Sequence, residues 1–376
     1  MIRILHTADL HLDAPFPVLG DRQAQRREAF LKTFERLVTL AIKSEVHLFL
    51  VAGDLFDSPR PSAATVAKVQ AGLKRLADRG IVPVLLPGTH DNLVGADSVY
   101  RRSEFPGAIL LDRPAIEEPL ALQVNGERVF LYGFAYRTFA SQNALEGMAR
   151  RSDEGIHIGL LHGSRQGSPE WEYRKKDLPF TVAELRHWGL DYVALGHYHG
   201  FDLIEDGGRT LACYPGSPEG KRFGENGPRC CALVRVEKGQ VEVEKATVNS
   251  LVLEDRKLDL AGCETLEQAA EVICAMGRPD LLLRLRLTGI VEAPLDLAAL
   301  QARCGGAFFH LEFDDRTRLF DSDFARRIAQ EETVRGVFVR QLQQRMQLAG
   351  PEERAVLEEA FREVLVRFGA FGGGAA

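Results

Sequence analysis

The chain has no uninterrupted apolar run of about 18 residues, so no membrane-spanning helix is expected. It has no cysteine pair at C-x-x-C spacing. Its six cysteines (Cys213, Cys230, Cys231, Cys263, Cys274 and Cys304) include two that are adjacent, which does not suit a disulfide framework. A reduced, cytoplasmic setting is the expectation. Positive charge is not in excess: 47 Lys and Arg stand against 53 Asp and Glu, a net charge of −6 with pI near 6.0. That argues against a broad electrostatic nucleic-acid binder. It leaves room for cation-centred chemistry, because bound divalent ions supply local positive charge where a phosphate sits. The opening Met1-Ile-Arg-Ile-Leu-His runs straight into a strand pattern, without a basic region or cleavage site. No internal repeat is found, and the only low-complexity tract is the Gly/Ala tail after Phe371. What remains is ordinary globular material, 45% hydrophobic and 27% charged over 376 residues. That suffices for one large domain and a smaller one.

The first half is built from apolar runs that break off into Asp or His. Arg3 to Ala8 reads as a strand followed by Asp9-Leu-His11. His47 to Ala52 is followed by Gly53-Asp54-Leu-Phe-Asp57, and Val82 to Leu86 by Gly88-Thr-His90-Asp91. Amphipathic helices are predicted between them, over Asp21 to Lys43 and Ser62 to Arg79, so βαβ units and a parallel sheet are expected. The middle is read as turning antiparallel. Leu120 to Val124 and Arg128 to Tyr132 flank Asn125-Gly126, and Cys231 to Glu237 pairs with Gln240 to Ala246. Two further buried strands end in Leu161-His162-Gly163 and Gly196-His197-Tyr-His199. The fold class that satisfies both halves is α/β, a two-sheet αββα sandwich with helices outside.

Carboxyl ends of strands are where ligand sites form in open α/β sheets. Asp9, His11, Asp54, His162, His197 and His199, with His90 nearby, make a donor set for two cations, with Asp54 shared. A lone Asp-x-His is better explained as a turn or cap; a lone Gly-His-x-His is a better signal, though its second His could be ordinary surface. Five strand ends carrying such residues are not explained that way, because a buried imidazole or carboxylate costs on the order of several kcal/mol unless paired or metal-bound. Mixed Asp/His shells without thiolate suit manganese, iron or zinc more than calcium or magnesium. Two cations roughly 3.5–4 Å apart would activate a water for in-line attack on phosphorus. His6, His47, His157, His187 and His310 are read as structural. Asp57 is read as either a cap or acceptor behind the ligands or a ligand itself.

In order and spacing, these motifs resemble the calcineurin-like metallophosphoesterase superfamily. Asp9-Leu-His-Leu-Asp13-Ala-Pro-Phe16, Ala52-Gly-Asp-Leu-Phe-Asp57 and Tyr214-Pro-Gly-Ser217 are similar to its SbcD-type DNA repair nucleases, in particular the YhaO-like bacterial branch. The resemblance implies that Asp9, His11, Asp54 and His199 hold one ion and that Asp54, His162 and His197 hold the other. It implies that His90 stabilises the transition state or protonates the leaving oxygen, with Asp91 orienting its imidazole. Where the family has Gly-Asn-His-Asp this chain has Gly88-Thr89-His90-Asp91. Thr89 is therefore a metal-ligand candidate with a shorter reach, and a less occupied second site is expected.

Domains are expected at 1–250 (phosphoesterase), 251–320 (small α/β cap) and 321–368 (C-terminal helices), with a disordered tail at 369–376. The leading function is hydrolysis of DNA phosphodiester bonds. The alternatives are a phosphoesterase for small esters and a catalytically weak scaffold subunit. DNA contacts are expected from Arg22, Arg26, Arg27, Arg101, Arg102, Arg174, Lys175, Lys176, Lys221 and Arg222. The resemblance implies a coiled-coil ATPase of the SbcC/YhaN type as partner, and a homodimer is open. Val339, Leu342 and Met346, with Leu357, Phe361 and Val364, recur at helical spacing, as a docking face for that partner or as core.

Overall fold

A computed structural model describes residues 1–136, 143–168, 170, 178–237, 239–263, 265–320 and 322–372. Arg174, Lys175 and Lys176 lie outside them. The chain divides into two compact units, Met1–Leu253 and Glu254–Ala376.

In the first unit the strands of the two six-stranded sheets are, in chain order, β1 (Ile2–Thr7), β2 (Leu48–Ala52), β3 (Val82–Leu86), β4 (Ile109–Leu110), β5 (Leu120–Val124) and β6 (Glu127–Gly133). There follow β7 (Ile156–His162), β8 (Tyr192–Gly196), β9 (Asp202–Asp206), β10 (Arg209–Tyr214), β11 (Cys230–Glu237) and β12 (Gln240–Thr247). One six-stranded sheet has the order β12-β11-β1-β2-β3-β4 and the other β9-β10-β8-β7-β6-β5. β1 through β4 are parallel, as the βαβ spacing predicts, and the β11–β12 hairpin adds an antiparallel edge. The second sheet differs from expectation. Its centre, β6-β7-β8-β10, is parallel, and only the β5–β6 and β9–β10 edges are antiparallel. The hairpin signals are local and real, but β7 and β8 carry no turn signal between them, and their near-continuous apolar runs are those of parallel strands buried on both faces.

The two sheets share one core. Ile4, Leu48, Leu50, Val84 and Leu86 pack against Leu131, Ile158, Leu160, Tyr192 and Ala194. The outer face of the first sheet is covered by the helices Gln23–Lys43 and Ala63–Ala77, whose Phe34, Leu37, Val38, Val69, Leu73 and Leu76 are buried. The second helix is capped by the Ser62 hydroxyl, and Asp13 adds to this. Its carboxylate accepts from Ser62 N at 2.7 Å and Thr65 Oγ1 at 3.3 Å. His6 and His157 are structural, bonded to Tyr192 and Tyr132 respectively at 2.8 Å.

The second unit holds a three-stranded sheet of Val252–Asp259, Leu281–Thr288 and His310–Asp315, with helices Leu266–Cys274 and Leu297–Cys304. The expected C-terminal helices open with two, Ser322–Ala329 and Val334–Leu348, the second started afresh by a Thr333 cap on Gly336 N. The last helix, Pro351–Gly372, runs past the expected start of the tail at 369. The stripe offered as a docking face turns largely inward. Val339 and Phe361 are buried with Ile328 and Leu365, and Leu342 and Met346 pack against them. No described helix is long and apolar enough to cross a membrane.

Candidate metal centre

The site gathers at the carboxyl ends of β1, β2, β3, β7 and β8, where each apolar strand gives way to a turn of forced geometry. Asp9, His11 and Asp54 all take positive φ (54°, 45° and 52°), and His197 takes 105°. Backbone bonds from Asp9 N to Gly53 O (3.1 Å) and from His11 N to Asp54 O (3.0 Å) lock the β1 and β2 turns together. Glycine is required at several of these strand ends, Gly53, Gly88 and Gly196 among them. A Cβ on Gly53 would stand 2.0 Å from His162 Nδ1, and one on Gly196 1.9 Å from Ala52 O. Without these side chains the two sheets close up, and His162 and His197 reach the β2 turn.

The donors converge in three sets. Asp9, His11 and His199 form one, Asp9, Asp54 and His162 a second, and His11, Asp57 and His90 a third; within each, one atom per residue lies within 4.8 Å of the others. Asp54 is the carboxylate expected to be shared. Its Oδ2 does face both His162 Nε2 (3.4 Å) and His11 Nε2 (4.0 Å), but Asp9 also belongs to both main sets. His197 stands beside His162, ring centroids 5.3 Å apart, and its backbone N–H donates to Asp9 at 3.0 Å. Thr89 Oγ1 donates to Asp54 Oδ2 at 3.2 Å, and His90 N donates to Oδ1 at 2.8 Å.

Three of the candidate imidazoles, those of His162, His199 and His11, are each aimed by a bond at the other ring nitrogen. His162 Nδ1 is bonded to Ala52 O at 2.9 Å, which turns Nε2 inward. His199 Nδ1 is held by Glu225 Oε1 at 2.7 Å, and His11 Nδ1 by Asp57 Oδ1 at 3.1 Å. The His11 and His199 Nε2 atoms then face each other at 3.1 Å. Asp57 thus stands as an acceptor behind His11 and also belongs to the third donor set. Asp91 does not orient His90. Its carboxylate is fully buried and taken up by Gly88 N (2.7 Å), Phe56 N (3.1 Å) and Tyr100 OH (2.7 Å), so it shapes the loop. The His90 ring is set by Asp57 O at 3.1 Å, and its side chain is 45% exposed.

Electrostatics divide the imidazoles, pushing His197 and His11 toward the neutral form and His162 and His199 toward the charged one, and keep Asp54 ionised. Burial, helped by the charge of His162, pushes His197 down to about 3, and burial lowers His11. For Asp54 burial works the other way but is outweighed by His162, and its carboxyl is held well below the usual range. The reciprocal effect raises His162 to about 10, Asp54 and Asp9 overcoming the burial that opposes its charge. Burial raises Asp9. A divalent cation fits this set. His162 Nε2 is buried without a hydrogen-bond partner, and two ring nitrogens facing each other at 3.1 Å need a proton or a cation between them.

Sequence reading missed Glu225 and Arg229. Arg229 donates from Nη2 to His199 O and from Nε to Ser217 O (3.1 Å), bracing the Tyr214-Pro-Gly-Ser217 turn against His199. Neither residue ends a strand, so no pattern marked it. Arg26 is not the phosphate contact expected of it. It is 1% exposed and paired with Glu219 at 2.7 Å. Arg101 holds Leu93 O, and Lys221 donates to Asp57.

Comparison with known proteins agrees with this geometry. Residues 2–201 match the family model described as calcineurin-like phosphoesterase. Over 278 residues the chain is 28% identical to the Bacillus subtilis metallophosphoesterase YhaO, covering 72% of this chain and 66% of that one. It is 28% identical to the Haloferax volcanii DNA double-strand break repair protein Mre11 (77% of this chain, 62% of that one). It is also 28% identical to a component of the Bacillus subtilis nuclease SbcCD (68% and 71%). The chain thus spans just under two thirds of the length of the first two relatives. With its family model matching more than half of its residues, the chain belongs to the calcineurin-like phosphoesterases.

Proposed function

We propose that the chain is a divalent-metal-dependent phosphodiesterase that cleaves DNA, with manganese as its metal. The observation that carries the reading is the placing of Asp9 and Asp54 between the imidazoles of His11 and His199 on one side and His162 on the other. Asp9, His11 and His199 would hold one ion, and Asp54 and His162, joined by His197, the other. Asp54 shares in both, and Thr89 adds a hydroxyl at the edge of the second. When bound, such a pair supplies Lewis acidity toward phosphoryl oxygens and lowers the pKa of a water between them. Oxygen and imidazole donors without thiolate support manganese.

The protein's own part is positional. Asp57 and Glu225 fix the His11 and His199 rings, and the Ala52 carbonyl fixes His162. His90, exposed and with its ring bonded to Asp57 O, would donate a proton to the departing oxygen. DNA as substrate is supported by the names of the Mre11 and SbcCD relatives. Arg222, with its side chain 77% exposed beside the site, and Arg27 and Arg102 are the phosphate-contacting cations of this reading. A coiled-coil ATPase is the proposed partner.

Labelled single- and double-stranded DNA and bis-p-nitrophenyl phosphate, each with Mn²⁺, test it beside His90→Ala. DNA cleavage that falls about 10²–10⁴-fold in the variant is expected. Cleavage of the small ester alone would move the substrate class, and silence on both with metal bound would refute catalysis.

A further inference from the structure

His11 belongs to two donor sets at once, and one imidazole serves only one of them. Through Nε2 it faces His199 Nε2 (3.1 Å), its companion with Asp9 in the first set; through Nδ1 it faces Asp57 Oδ1 (3.1 Å), with His90 Nδ1 3.7 Å from the same oxygen. If a cation entered the Nδ1 side, that nitrogen would give up its proton and the ring would be drawn from the Asp9/His199 set. Something must decide between them. Lys221 stands there: its Nζ donates to Asp57 Oδ1 and lies 3.4 Å from His11 Nδ1. Its side chain is 22% exposed, so it has left water for this contact. Its backbone N–H is bonded to Glu225 Oε2 at 2.7 Å, the carboxylate that also holds His199, so the lysine is anchored to the centre at two points.

We propose that Lys221 is a positioning residue that acts as a built-in cation. It occupies the Asp57 carboxylate, keeps divalent metal out of the His11/Asp57/His90 set, and leaves Asp57 free only to accept the His11 Nδ1 proton. His11 is thereby committed to presenting Nε2. This rests on the reading of the centre as a two-cation site. A neutral residue at 221 turns Asp57 into a bare carboxylate flanked by two imidazoles, which is itself a cation ligand set. The stray ion also pins His90, so its cost falls on turnover.

The test is Mn²⁺ titration of the full chain, following bound metal by the loss of the free-ion EPR signal and, separately, the rate on bis-p-nitrophenyl phosphate. Wild type should bind two equivalents and plateau in rate. Lys221→Met should bind a third, with a rate that rises, then falls about tenfold or more as Mn²⁺ increases. Lys221→Met combined with Asp57→Asn should return to two. Lys221→Arg, which keeps the charge, should also bind two without the falling limb. Two equivalents and a wild-type curve in Lys221→Met would overturn the proposal, as would a third equivalent in Lys221→Arg should the Met variant fail to fold. Wild type that binds no Mn²⁺ would overturn the two-cation reading itself, and this inference with it.

Discussion

Replacing Arg26 by Met separates a structural cation from a DNA-binding one. Arg26 and Glu219 are each 1% exposed and paired at 2.7 Å; Arg26 also donates to Gly220 O and lies 4.8 Å from the Phe30 ring centroid. Glu219 in turn accepts from Thr33 Oγ1 (2.5 Å), Ser250 N (2.6 Å) and Leu251 N (3.2 Å). Removing the arginine leaves a buried carboxylate with hydrogen bonds but no countercharge, which costs about 3–5 kcal/mol. Met fills most of the volume, so little of the loss comes from a cavity. The assay is urea denaturation of Arg26→Met, Glu219→Gln and the double variant. Glu219→Gln removes the unpaired charge, so a coupling of about 1–3 kcal/mol is expected between the two. An Arg26→Met protein within about 0.5 kcal/mol of wild type would refute the reasoning. So would DNA binding whose salt slope falls by about 1 with stability intact, the signature of a lost phosphate contact.

Two further outcomes follow from the centre. Gly53→Ala must push His162 off the Ala52 carbonyl and accept φ near 96°, so a loss of about 2–4 kcal/mol is expected, read by denaturation, with weaker Mn²⁺ binding. In chelated protein, burial opposes the charge of Glu225, but His199 outweighs it and holds the carboxyl at about 2, below its ordinary 4.5. A depressed carboxyl stabilises fully above its unfolded pKa, and that contribution is lost as pH falls from about 4.5 to about 2. The stability gap between wild type and Glu225→Gln should close across that window, and a gap constant from pH 6 to 2 would contradict it.

Much of this site can be read in the chain because the fold forces it into the chain. Parallel strands buried on both faces are nearly all apolar, so an Asp or His at their end stands out; Asp9, Asp54, His162 and His197 are visible for that reason. The residues that aim the ligands sit in loops with no period. Glu225 lies between Gly224 and Asn226, and nothing in that turn says that it will meet His199. Arg26 fails differently. It occupies an exposed-looking stretch with Arg22 and Arg27, and only the three-dimensional path of residues 219–220 reveals that its side chain is covered. The same limit explains the second sheet: turn chemistry marks hairpins locally, whereas the β7–β8 pairing joins residues over thirty positions apart, as His162 and Gly196 show.

The backbone of the centre carries a cost that the rest of the molecule largely avoids. Eight described non-glycine residues have positive φ, and four of them are Asp9, His11, Asp54 and His197. Each such conformation costs on the order of 1 kcal/mol or more and persists only where surrounding structure holds it. Here the holding is visible: Asp9 N on Gly53 O, His11 N on Asp54 O, and His197 N on the Asp9 carboxylate. Asp9 is thus both a ligand candidate and the acceptor that stabilises the strained turn of another. Strain and ligation are therefore coupled, because the bonds that hold these turns also fix where the donor side chains start. A flexible set would have to lose the conformational entropy of each side chain on binding. A substitution that relaxes one of these turns is consequently expected to weaken metal binding even when it leaves every donor atom in the sequence.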